Sequence, residues 1–245
     1  MKHPDSAQDP RRRLLIQALT SGLFASALPG AHALAEGLFG AKPAKMPAGQ
    51  SIYRITGQAL VNGKQATPET RIKPGDTIAT GQGSELIFVI GGHAMLLRDE
   101  GRLVIEAAKQ SASTLLITAL RVLNGKLLSV SRDTPLRVET GIATIGIRGT
   151  GFYVESSPEQ TYFCTCYGVT DVTAIADPGN TVTVSAQHHD RPLTILKSAA
   201  RGQHIVDAPF INHTDQELAL IEALVGRTTP FVFPNDAYRT PRRQY

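Results

Sequence analysis

Apolar and polar residues alternate over short stretches from residue 51 to about residue 206, with turn-forming residues between them. A period of two predicts β-strands, because successive side chains on a strand point to opposite faces. Asn62-Gly63 has the form of a hairpin turn, and Pro74-Gly75-Asp76 of a second turn. Gly81-Gln82-Gly83-Ser84 marks a further corner. Beyond the opening strands, the pattern predicts short strands at 86–90, 94–98, 103–105, 115–122, 126–130 and 136–140. It predicts others at 143–147, 151–155, 162–166, 169–175, 181–185, 193–196 and 203–206. The period changes once. Thr214-Asp215-Gln216-Glu217 is a capping box, and Leu218, Ile221, Leu224 and Val225 follow on one side of a helix. Gly226 suits a left-handed stop, and Arg227 complements the helix dipole. The helix reads as a packing element. The fold class is therefore all-β, with many short strands in a solenoid-like or sandwich arrangement and one C-terminal α-helix.

The first residues follow a different pattern. Arg11-Arg12-Arg13 precede an apolar run over 14–28, Pro29-Gly30 breaks it, and Ala31-His32-Ala33 is a small-x-small cleavage site. Ala33-Leu34-Ala35 is a second possible site. A charged region, an apolar region and such a site make a secretory signal. Arg11-Arg12 followed by Leu14-Leu15 is similar to a twin-arginine signal, which carries folded proteins. An uncleaved anchor is the alternative. The layout is a signal peptide at 1–33, a linker rich in Ala, Gly, Lys and Pro at 34–50, an all-β domain at 51–206, and a helix with a C-terminal tail at 207–245. The expected location is the periplasm of a Gram-negative bacterium, with membrane contact only through the transient signal peptide.

Composition then removes some functions. The chain has 245 residues, 42 % of them hydrophobic and 19 % charged, which allows a core and excludes a coiled coil. A net charge of +4 and a pI of about 9.2 hint at nucleic acid. The signal carries Lys2 and three arginines against Asp5 and Asp9, so its removal leaves +2. Aromatic residues are few and are not interleaved with arginines, so no nucleic-acid partner is expected. No Gly-x-Ser-x-Gly, phosphate-binding loop or His-Glu-x-x-His occurs, and no catalytic residue or enzyme activity is expected.

The two cysteines, Cys164 and Cys166, lie two apart in a β-patterned stretch, so both sulfurs face one side. Their Cα atoms would be roughly 6.4–6.8 Å apart on a regular strand, near the upper limit for a disulfide. His188-His189-Asp190 follows in the sequence. On a strand, one of these histidines would join the cysteines and the other would face away; in a loop both could ligate. Two thiolates with one or two imidazoles suit Zn, Cu or Fe, which makes Cys164, Cys166, His188 and His189 a candidate metal site. His204 and His213 are further candidates. A strained disulfide and buried free thiols are the other readings of the pair.

Three segments resemble the FecR domain family. They are Lys73-Pro74-Gly75-Asp76-Thr77-Ile78-Ala79-Thr80-Gly81-Gln82-Gly83-Ser84, then Val122-Leu123-Asn124-Gly125-Lys126-Leu127, and last Thr140 followed by Ile147-Arg148-Gly149-Thr150-Gly151-Phe152-Tyr153-Val154. The resemblance covers roughly half the chain and implies a periplasmic all-β module. Gly75, Asp76, Gly81, Arg148, Gly149 and Thr150 are read as holding the fold. The best-known members are transmembrane regulators with an anti-sigma segment, which the signal peptide replaces here, so that activity is not carried over. The expected function is a binding or sensor module without catalysis, with a candidate metal site at the Cys-x-Cys pair and nearby histidines, and partnered by an envelope protein or glycan. A thiol/disulfide redox protein and a purely structural envelope module are the alternatives.

Overall fold

The computed structural model describes residues 43–109, 115–131 and 135–231. The segment read as an export signal, with Arg11 and Arg12, and the end of the C-terminal tail lie outside the described residues. Among the described residues there are fourteen strands and one helix, the all-β class with a C-terminal helix. No helix among them is long and apolar enough to cross a membrane.

The strands are β1 (Ile52–Thr56), β2 (Ala59–Val61), β3 (Lys64–Gln65), β4 (Thr77–Thr80), β5 (Glu85–Ile90), β6 (His93–Leu97) and β7 (Arg102–Lys109). They continue as β8 (Leu115–Ser131), β9 (Leu136–Glu139), β10 (Ala143–Ser156), β11 (Gln160–Ala174), β12 (Asp177–Ala186), β13 (Leu193–Leu196) and β14 (Ile205–Asp207). The helix α1 spans Asp215–Leu224. All strands join one hydrogen-bonded network whose main path runs β14-β13-β11-β10-β9-β8-β7-β4-β2-β3. Pairing is antiparallel except between β8 and β9.

Not all strands are short. The segments predicted at 115–122 and 126–130 are one strand, β8; those at 143–147 and 151–155 are β10; those at 162–166 and 169–175 are β11. Glycine bends these strands without ending them. Gly149 (φ 64°) and Gly168 (φ 94°) adopt positive φ, where a side chain is strained. A Cβ on Gly168 would also lie 2.8 Å from the Gly149 carbonyl oxygen. At this bend β10 exchanges partners, pairing with β9 before it and β8 after it. β11 does the same, pairing with β13 on one side and β12 on the other.

Alternation along the central strands feeds two apolar layers. Leu86, Phe88, Met95, Leu97, Leu127, Phe152, Val154 and Phe163 point into the larger one. Their neighbours Ile87, Ala94, Leu96, Leu128, Tyr153, Tyr162, Cys164 and Cys166 point to the opposite layer. There they meet Leu218, Ile221 and Leu224 of α1. Burying each large side chain contributes about 1.5–3 kcal/mol, so both layers stabilise the central strands.

The capping box of α1 forms as the sequence predicts. The Glu217 amide donates to Thr214 Oγ1 at 3.2 Å, and the Thr214 amide donates to Glu217 Oε2 at 3.0 Å. Gly226 (φ 76°) follows the helix. Residues 43–50, within the stretch read as a linker, lie against α1: the Met46 amide donates to the Leu224 carbonyl at 2.8 Å.

Candidate metal centre

Cys164 and Cys166 sit on β11 with both side chains in the helix-covered layer, fully buried. This is the shared face that their spacing predicts. Both are free. His189 comes from the turn between β12 and β13, and its amide donates to the Cys166 carbonyl at 2.9 Å. His213 comes from the residue just ahead of the Thr214 cap. The four donor atoms Cys164 Sγ, Cys166 Sγ, His189 Nδ1 and His213 Nε2 lie within 4.8 Å of one another.

Three edges of this cluster have metal-site dimensions. His213 Nε2 to His189 Nδ1 is 3.2 Å, Cys164 Sγ to His189 Nδ1 is 3.4 Å, and Cys166 Sγ to His213 Nε2 is 3.5 Å. Ordinary Zn–N and Zn–S bonds at tetrahedral angles give edges of about 3.3 Å between nitrogens and about 3.5 Å between nitrogen and sulfur.

The outer nitrogens fix which ring atoms face inward. His213 Nδ1 is 2.7 Å from the Ile211 carbonyl and must donate to it, which leaves a lone pair on Nε2. His189 Nε2 donates to Asp215 Oδ1 at 3.0 Å, which aims Nδ1 at the sulfurs. Metal-bound histidines are held in the same way, by a carbonyl or carboxylate on the far nitrogen. His213 stacks on Tyr153 with ring centres 4.4 Å apart, and Phe210 packs against both imidazoles. His189 (φ 54°) and Asn212 (φ 59°) adopt left-handed backbone at the two turns that deliver these rings. Such conformations cost of order 1–3 kcal/mol and persist where surrounding contacts impose them.

Proton affinities inside the cluster diverge. Burial pushes the Cys164 thiol up, but bonding to Cys166, His189 and His213 outweighs it and holds Cys164 well below the usual thiol range. Burial and the adjacent Cys164 push Cys166 well above that range. Burial works against charge on His189, yet Asp215 and Cys164 raise it to about 9. Burial also opposes the charge on Asp215, but His189 and His188 outweigh it and lower its pKa. The cluster thus lowers proton affinity at Cys164 and raises it at His189.

The other predicted residues fall elsewhere. His188 is outside the four-donor cluster: its Nε2 meets Asp215 Oδ2 at 2.9 Å, and its side chain is 41 % exposed. His204 Nδ1 donates to the Leu196 carbonyl at 2.9 Å. Asp76 accepts from the Lys73 amide at 2.7 Å and from Asn62 Nδ2 at 2.8 Å, and Gly75 adopts φ 99° beside it. The Gly81 amide donates to the Gln58 carbonyl at 2.9 Å. Arg148 pairs with Asp171 at 2.9 Å on the surface, and Thr150 is buried beyond the Gly149 bend. The sequence places Asp215 in the capping box at the helix start and gives it no other role; its pairing with both His188 and His189 gives α1 a part in the site. A carboxylate one residue after a cap, with histidines elsewhere, is too common a pattern to have identified it.

A second polar group holds the same end of α1. Arg98 Nη2 meets Glu217 Oε2 at 2.9 Å, and the Arg98 guanidinium also donates to the Asn212 carbonyl. Asn212 Nδ2 and Tyr153 Oη each donate to Glu155 Oε1 at 2.7 Å.

No protein-family model matches the chain, and no curated protein matches it. Among solved structures, two crystal structures of a protein assigned as an anti-sigma factor from Parabacteroides distasonis are similar to it, with TM-scores of 0.43 and 0.42. Identity is 15 % and 14 %, over 54 % of this chain and 58 % of each of those chains. The chain thus matches less than two thirds of their length, and a likeness at this level assigns no activity.

Proposed function

We propose that this protein is an exported FecR-type binding or sensor module that holds one transition-metal ion through Cys164, Cys166, His189 and His213. The single observation that carries the metal is the set of donor edges, 3.2, 3.4 and 3.5 Å, with one nitrogen of each imidazole turned inward by the hydrogen bond on the other. Two sulfurs and two nitrogens in a tetrahedron suit Zn(II), with Cu and Fe as the competing ions. Four protein donors leave no open position for substrate, which favours a structural or sensing role over catalysis. The ion would join three segments, since its ligands come from β11, the β12–β13 turn and the approach to α1. Twin-arginine export would let it load before the folded chain reaches the periplasm. An envelope protein or glycan is the proposed partner class.

The test is metal content and thiol count on protein purified without a histidine tag under reducing, oxygen-free conditions. Wild type is expected to hold one equivalent and to lose it in Cys166→Ser and His213→Ala. Trace metal in wild type, or content unchanged in Cys166→Ser, overturns the reading. A Cys164–Cys166 disulfide in protein that takes no metal moves the assignment to the redox alternative.

A further inference from the structure

The four-donor cluster is sealed. Cys164, Cys166 and His213 have no exposed surface, and the His189 side chain is only 7 % exposed. Tyr153 and Phe210 cover His213, and Phe210 also packs on His189. An ion therefore needs a path inward. Among the described residues, one string of ligating atoms runs from solvent to the cluster. His188 Nε2 lies 2.9 Å from Asp215 Oδ2, and Asp215 Oδ1 lies 3.0 Å from His189 Nε2. His189 presents its other nitrogen, Nδ1, to Cys164 and His213. Side-chain exposure falls along the string from 41 % at His188 to 16 % at Asp215 and 7 % at His189.

We infer that His188, Asp215 and His189 form an outer capture site for divalent transition-metal ions, which load the buried cluster through it. This rests on the metal reading above and assigns a role to the histidine that the cluster leaves out. The three donor atoms lie within 4.8 Å of one another, close enough to share one ion. Three nitrogen and oxygen donors, one of them on an exposed ring, leave coordination positions to water and hold an ion loosely. The buried cluster offers a fourth donor and two thiolates, so transfer inward is downhill for zinc. His189 belongs to both sets through opposite nitrogens: the ion displaces the Nε2 proton to solvent in the outer site, and Nε2 takes up a proton again when the ion passes to Nδ1. The outer site is a place of transit, so it changes rates without changing the final affinity.

The experiment is stopped-flow loading of metal-free full-length mature protein with Zn(II), followed by removal with a chromophoric chelator, and an equilibrium competition titration. In His188→Ala, loading is expected to slow on the order of ten-fold and chelator-driven removal to slow by the same factor. The equilibrium Kd then stays the same, because a lost path slows both directions. His188→Glu, which restores a ligating side chain at the rim, is expected to recover the wild-type rates. Unchanged rates in His188→Ala overturn the inference while leaving the buried site intact. Faster removal with weaker affinity also overturns it, since that marks His188 as a ligand to the bound ion. Absence of zinc binding in wild type, or full binding in Cys166→Ser, removes the metal reading itself and is distinguishable from both.

Discussion

On one face of β10 and β11, Phe152, Val154 and Phe163 meet apolar side chains from the rest of the sheet network. On the other face of the same strands, Tyr153, Cys164 and Cys166 meet two imidazoles, a buried ion pair at the start of α1, and the apolar side of that helix. The first layer needs no specific chemistry. Its strands are tied laterally by backbone hydrogen bonds, and any well-packed apolar set of the right volume would close it. The second layer is closed by a helix of ten residues, shorter than the ~12–15 that sustain a helix alone in water. That helix needs anchors. It has Leu218, Ile221 and Leu224 beneath it, Arg98 on Glu217, and the cluster that grips His213 just ahead of its cap. The difference between the layers shows where a ligand can act: on the side where closure depends on polar anchors.

Breaking each layer separately sharpens this comparison. If the helix-covered layer holds the proposed ion, stripping it carries the largest effect. A ligand present at a thousand times its Kd stabilises by about 4 kcal/mol, so a strong chelator is expected to lower Tm by about 10 °C. A chelator that leaves Tm unchanged would detach the cluster from the stability of this face. Next is Leu103→Ala, which empties space in the purely apolar layer and is expected to cost about 3 kcal/mol in denaturant unfolding. Metal stoichiometry should stay at one, and its loss there would show that the layers are not separable. Smallest is Thr214→Ala. It removes one cap bond and is expected to cost about 1 kcal/mol, with faster amide exchange confined to the first turn of α1. Global loss of protection would show that the cap does more than start a helix.

Part of this was legible in the sequence, for physical reasons. Period two placed Cys164 and Cys166 on one face, and the capping box placed the start of α1. His188 and His189 would face opposite sides on a strand, but they sit in a turn, and that it is His189, with its left-handed backbone, that reaches the sulfurs is not encoded in the spacing. His213 could only be a candidate, because it reaches the sulfurs through a return of the chain over 47 residues. The long strands were hidden for a similar reason. Glycine signals a break in sequence, whereas Gly149 and Gly168 allow β10 and β11 to bend and exchange partners without stopping.

The central claim is that four particular side chains from three segments close the helix-covered layer around one ion. X-ray absorption at the zinc edge of the zinc-loaded protein tests it most directly. The predicted result is four-coordinate zinc with two sulfurs at about 2.3 Å and two imidazole nitrogens at about 2.0–2.1 Å, and one fewer sulfur in any zinc retained by Cys164→Ser. A spectrum without sulfur, or one identical in wild type and Cys164→Ser, would contradict it.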